Sequence, residues 1–172
     1  DASTFISDDV TTSGTAETGT VTITETMPGT TFEVSVPVTA SGTVIASINA
    51  GTASNAIGNT NGASSSKDNT ITFDDTAPDP PITPDLTDSS DTGPGNSDEI
   101  TSDNTPTFVG SGGTSGDTVA IYSDAVLVGS GIVAGDGSWT VTVSSLADGV
   151  RSITATYTDS LDNESNDSTP LP

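Results

Sequence analysis

The sequence contains no cysteine and no histidine. Without thiols, neither disulfides nor thiolate metal sites can hold the fold. Zinc loses its two preferred ligand types, and Ser-His-Asp or Cys-His nucleophile systems cannot be assembled. Positive charge is almost missing. Lys67 and Arg151 stand against 24 carboxylates, for a formal net charge of −22. Nucleic acid is excluded as a partner, because phosphate binding needs clustered Lys and Arg. An anionic membrane surface would repel the chain for the same reason. No apolar run approaches spanning length, so membrane insertion is not expected. No signal peptide opens the sequence, which leads us to expect a mature or excised N-terminus.

What is present is polar, small and strongly patterned. Aspartate outnumbers glutamate 19 to 5, and most of the aspartates fall in turn-rich stretches. Apolar residues recur with period two, as half-buried strands require. Thr20–Thr24, Phe32–Val36, Val44–Ile48 and Ile71–Phe73 alternate in this way, separated by turn signals at Pro28-Gly29, Ser41-Gly42 and Asn61-Gly62. Then Pro78, Pro80, Pro81 and Pro84 fall within seven residues. That density suits an extended linker, not a central strand. Strands resume at Thr105–Val109, Thr118–Tyr122, a short Ala125–Val128, Trp139–Val143 and Arg151–Tyr157. Short strands at this spacing predict an all-β sandwich. The 172 residues divide into units at 1–75 and 76–172, with a linker at about 74–84. The halves echo each other. Gly42–Ile48 matches Gly149–Ala155 in character, and both lead toward a loop with two Asx residues four apart, Asn55/Asn59 and Asp159/Asn163. Internal repetition of this kind indicates an array.

Four stretches carry a resemblance: Phe73-Asp74-Asp75-Thr76-Ala77-Pro78; Pro84–Gly93 followed by Asp98–Thr101 and Thr105–Phe108; Gly137-Ser138-Trp139 with Leu146–Gly149; and Ile153–Asp159 ending at Asn163. They resemble the bacterial Ig-like repeats of large type I-secreted, calcium-dependent adhesins of Gram-negative bacteria. The resemblance covers nearly all of the second unit, and the first half resembles a related repeat type through Gly42–Asn61 and Asp68–Thr70. It implies an all-β chain of two tandem immunoglobulin-like β-sandwich units; the first departs from that pattern, showing about five strands where about seven are needed, and its first two strands are expected upstream of Asp1 or else supplied by a neighbouring chain. It also implies an extracellular stalk whose partners are neighbouring Ig-like domains of the same protein, with calcium as the stiffening ion. Unpaired strands in the first unit would permit self-association by donor-strand exchange.

The implied topology places the last inter-strand loop at the same end of unit two as the linker. Asp159, Asp162 and Asn163 are therefore expected to approach Asp74 and Asp75 and to offer calcium its oxygen ligands at the domain junction. Alternatively, these residues form Asx turns and cap strand ends. A second candidate is the acidic loop from Asp88 to Asp103, with Asp88, Asp91, Asp98 and Asp103 as ligands and Glu99 beside them. Its spacing matches neither an EF-hand nor a calcium β-roll, and a solvated loop is the alternative.

Gly110–Gly116 has neither the lysine nor the helix of a phosphate loop, so an inter-strand loop is expected there. Lys67 follows three serines in a polar loop and is expected to be exposed, away from any intramolecular lysine cross-link. Trp139 and Phe108 read as core residues. No catalytic residues are assigned. The function expected is mechanical, a stalk segment of a surface adhesin. The runner-up is a fibre or surface-layer subunit completed by strand exchange.

Overall fold

The alternating segments become antiparallel strands in a computed structural model that describes residues 5–95 and 97–171. The chain divides into two units, Asp1–Asp75 and Thr76–Pro172. Among the described residues no helix is long and apolar enough to cross a membrane.

Among its described residues, unit 1 follows a 3-10 turn at Ser7–Asp9 with five strands: β1 (Val10–Gly14), β2 (Thr22–Met27), β3 (Thr31–Ser35), β4 (Gly42–Ile48) and β5 (Thr70–Phe73). They form a three-stranded sheet ordered β1-β4-β5 and a β2-β3 hairpin. The hairpin turns at Pro28-Gly29, where Gly29 takes φ +68, a left-handed value that favours glycine. Ile23, Phe32 and Val34 share its half-buried face, and Phe32 meets Phe5 edge to face at 5.1 Å between ring centroids. The five strands among the described residues fall short of the roughly seven of an Ig-type sandwich, and the packing shows it. Val10 and Val44 are the only fully buried hydrophobic side chains among the described residues of this unit. The buried face expected for Ile71–Phe73 is not there. Ile71 is 65% exposed, because β5 is an edge strand.

Unit 2 carries β6 (Asp85–Leu86), β7 (Thr107–Ser111), β8 (Thr118–Ser123), β9 (Val126–Ile132), β10 (Ser138–Thr142) and β11 (Ile153–Thr158). Two three-stranded sheets, β10-β7-β6 and β11-β8-β9, enclose a core that includes Leu86, Phe108, Val119, Ile121, Trp139, Val141 and Tyr157. The segment after β11 adds an irregular seventh strand. Ser165, Ser168 and Leu171 donate their N–H groups to Tyr157, Ala155 and Ile153 in turn. The hydroxyls of Ser165 and Ser168 accept the N–H groups of Tyr157 and Ala155. The segment advances three residues for every two of β11, and the serine hydroxyls supply the acceptors that its mismatched carbonyls cannot.

Strand register fixes which loops share an end. Thr158 pairs with Thr118 and Ile153 with Ser123, while Asp85 pairs with Val109 and Leu86 with Phe108. The chain therefore enters β6 at the end that holds the 159–163 loop. The acidic 87–106 loop lies at the opposite end, and so does Leu171, bonded to Ile153.

Three expectations need correction. Gly110 and Ser111 belong to β7, not to a loop, because Trp139 lies across Gly110 on the neighbouring strand. The short strand at 125–128 runs to Ile132. Gly129 and Gly131 keep that strand close to Val141 and Val143 of the facing sheet. The last strand begins at Ile153 and not at Arg151, so Gly149–Ser152 does not repeat the start of β4. Arg151 is held in the preceding turn, donating to the carbonyls of Ala147 and Asp148 and to Asp124 at 2.9 Å.

The hydrogen bond from Arg151, then that from the Ser152 N–H, hold the Asp124 carboxyl below its ordinary value. A depressed carboxylate contributes stability above its unfolded pKa and loses it as pH falls through the folded one. Asp124→Asn is therefore expected to lower the urea midpoint at neutral pH, and the gap from the parent is expected to close as pH falls through the acid range until the carboxyl is protonated in both folded and unfolded states. Urea titrations across the acid range check this; parallel pH profiles would contradict it.

Candidate metal centre

The Asx loops of the two units are built alike. In unit 1 the Asn55 Oδ1 accepts the N–H groups of Ile57 and Asn59, while the Asn55 N–H donates to the Asn59 carbonyl at 3.0 Å. In unit 2 the Asp159 Oδ1 accepts Leu161 and Asn163, and the Asp159 N–H donates to the Asn163 carbonyl at 3.1 Å. Bridges Ser54–Thr60 and Thr158–Glu164 close both loops. The fourth loop position is left-handed in each: Gly58 at φ +87 and Asp162 at φ +65.

The comparison separates folding from charge. A neutral Asn makes the same loop in unit 1, so the backbone geometry does not require the negative charge of Asp159. Nor does it require a carboxylate at 162, where glycine is the unstrained choice. Hydrogen bonds from the Asn163 side chain, then from backbone N–H groups, hold the Asp159 carboxyl below its ordinary value, which keeps it ionised. Asp162 is exposed and Asn163 half-buried. In unit 1, Asp75 exchanges hydrogen bonds with Ser41, its N–H donating to the Ser41 hydroxyl at 3.0 Å. Asp74 stands beside it, half-buried.

The acidic loop scatters its four candidates. Asp88 is exposed. Asp98 binds inside the loop, accepting the N–H groups of Gly95 and Ile100. Asp103 accepts from Thr105 and from the Ser90 hydroxyl. These bonds, that from the Thr105 N–H first, lower its pKa. Asp91 alone is buried, at 6% exposure. The reading from sequence missed Asp85, and it set Glu99 beside the ligands rather than among them. Glu99 reaches back to the Leu86 N–H. Its carboxyl is raised by burial and by the nearby carboxylates of Asp85 and Asp91. Glu99 sits at φ +56, uncommon for a residue with a side chain, and no local sequence signal marks it. Among the described residues, no three carboxylates converge closely enough to hold an ion as they stand.

Residues 76–172 match the family described as bacterial Ig-like domain. Among solved structures, the chain is similar to one titled "Biofilm associated protein - BSP domain", at 20% identity and a TM-score of 0.37; the match covers 96% of this chain and 27% of that one. No curated protein matches the chain.

Proposed function

The chain belongs to the bacterial Ig-like domain family, and from that premise we propose that it is a spacer segment of a modular bacterial surface adhesin, located outside the cell. The carrying observation is the direction of the chain through unit 2. It enters at the 159–163 end and reaches Leu171 at the acidic-loop end. A module with entry and exit at opposite poles extends a polypeptide when repeated, which is what a stalk requires. The shared Asx loop of the two units supports the repeat. The role is mechanical and non-enzymatic, and its partners are neighbouring Ig-like domains.

Calcium is the ion this reading adds. Asp159 and Asp162 carry charge that their loop does not need, and that surplus fits an oxygen-ligand cation. Asn163 stands with them in the same loop as a further oxygen donor. The ion would supply positive charge between like-charged groups, and the chain's own residues would hold the loop that presents them.

A second reading rests on unit 1, where two buried side chains and an open apolar cleft beside Phe5, Phe32 and Ile48 leave room for an added strand. It makes the protein a fibre or surface-layer subunit completed by strand exchange. Size-exclusion chromatography with small-angle scattering over a range of concentrations separates the two. An elongated monomer at every concentration supports the spacer. Polymers that persist on dilution support strand exchange and remove it.

A further inference from the structure

The open cleft of unit 1 differs from the rest of the chain in its charge. It holds about 460 Å³, within the range of a ligand pocket. None of the described residues that line it is charged, in a chain that carries 24 carboxylates. Phe5, Phe32 and Ile48 supply its apolar surface, each half-buried. The edge-to-face contact of the two rings fixes their planes.

The remaining lining comes mostly from the 53–64 loop, and it is polar. The Gly51 N–H donates to the Asn61 carbonyl and the Asn61 N–H to the Ala53 carbonyl, both at 3.0 Å, while the Ser64 N–H donates to the Ile48 carbonyl at 2.8 Å. These bonds close the loop on itself, so it offers the cleft side chains rather than a strand edge. The Asn61 amide is spent as a staple, donating to the Asn49 and Gly62 carbonyls and accepting the Ala53 N–H. Asn55 is pinned through its Oδ1, which leaves its amide nitrogen as an oriented donor. The Ser64 hydroxyl accepts the Ile48 N–H at 3.0 Å and keeps its proton to donate. Asn59 and Thr60 are exposed, and neither side chain makes a hydrogen bond among the described residues.

Ring surface beside fixed amides and hydroxyls, without charge, selects a ligand with an apolar face and neutral polar edges. A purely apolar ligand would strand these donors and acceptors away from water. An anion would be repelled by the net charge of −22, and Glu25 is bonded to the Gly29 N–H at the margin. A cation would find no carboxylate in the lining. A pyranose meets both demands, since its C–H face covers an aromatic ring and its hydroxyls donate and accept. We propose that unit 1 binds a neutral saccharide in this cleft, with Phe5 and Phe32 against the sugar face and Asn55, Asn59, Thr60 and Ser64 on its hydroxyls. Such a site stands apart from the spacer reading, because the family match begins at residue 76 and the cleft is lined by residues 5–64.

The test is a glycan array probed with the full chain, carrying neutral hexose and N-acetylhexosamine oligosaccharides beside sialylated, uronic-acid and sulfated ones. Calorimetric titration of the best-bound glycan against parent, Asn59→Ala and Phe5→Leu follows, with a thermal melt of each. Binding confined to neutral glycans is expected. Asn59→Ala should weaken it by about threefold to tenfold, the worth of one neutral hydrogen bond, and leave the melting temperature unchanged, because that side chain holds nothing in the fold. Phe5→Leu keeps apolar bulk and loses the ring, and should weaken binding by a similar factor; Asn59→Ala carries the test if that variant does not fold. No binding to any glycan, a preference for acidic glycans, or parent affinity in either variant would each overturn the site. Size-exclusion chromatography of the same samples reads the other occupant. Polymers that survive Phe5→Leu, with no glycan bound, assign the cleft to an added strand, since leucine serves a merely apolar contact as well.

Discussion

Trp139→Ala is expected to cost about 3–5 kcal/mol, the range for deleting a buried aromatic and a large part of what holds a domain this small together. Trp139 is 3% exposed in the middle of β10. Its Nε1 donates to the Tyr157 hydroxyl at 2.8 Å. Since β10 and β11 belong to different sheets, this bond ties one layer to the other. Tyr157 in turn donates to the Ser111 carbonyl, and burial raises its phenol, so the donor stays protonated through the neutral range. Removing the indole leaves a cavity and takes away the donor to a buried hydroxyl. The indole also explains Gly110. A Cβ built there would lie 2.5 Å from Trp139 Cε2 and closer still to Cζ2. Gly110→Ala is therefore expected to cost about 1–3 kcal/mol by overpacking, and far less when Trp139 is already Ala. Urea unfolding by circular dichroism measures all three variants. Trp139 is the only tryptophan, so its fluorescence follows unit 2 alone in the Gly110→Ala variant. An unchanged Gly110→Ala cost in the Trp139→Ala background would show that the glycine serves something other than the indole.

Calcium in excess of chelator should raise the melting temperature of the chain substantially. A ligand at a hundred times its dissociation constant adds about 2.7 kcal/mol per site to a state that alone binds it. For a domain of about 100 residues each kcal/mol moves the midpoint by roughly 4–8 °C, so one filled site in unit 2 predicts a rise of about 10–20 °C. Magnesium should do much less, because it gives up water reluctantly and demands near-octahedral ligands. The net charge of −22 makes a salt control essential, since screening alone relieves some self-repulsion. Sodium chloride at matched ionic strength therefore has to leave most of the rise unaccounted for. A rise equal in calcium, magnesium and sodium would reduce the carboxylates to a solvated surface, and strand exchange would then better explain how unit 1 stays ordered.

Much of this architecture was legible along the chain. Period-two alternation at Thr118–Tyr122 and around Trp139 marked strands β8 and β10, because an alternating polarity needs only two environments. The paired Asx residues announced the loops at Asn55 and Asp159, whose hydrogen bonds span four residues and so are written locally. Other features were decided by residues far apart in sequence. Gly129 and Gly131 look like turn residues, yet the facing Val141 and Val143 make them strand residues. Ile71 looks like a core residue, but only a covering layer could bury it. Asp91 is one of 19 aspartates, and nothing in its neighbours distinguishes it from Asp88 or Asp98. Its burial comes from Ser90 and Thr92 gripping residues 10 to 17 positions away. Alternation and turn chemistry are local, so the sequence alone determined that this chain is made of polar, repeated β units. Desolvation depends on what the rest of the fold brings alongside, so only the tertiary structure decided which carboxylate is left without water or partner.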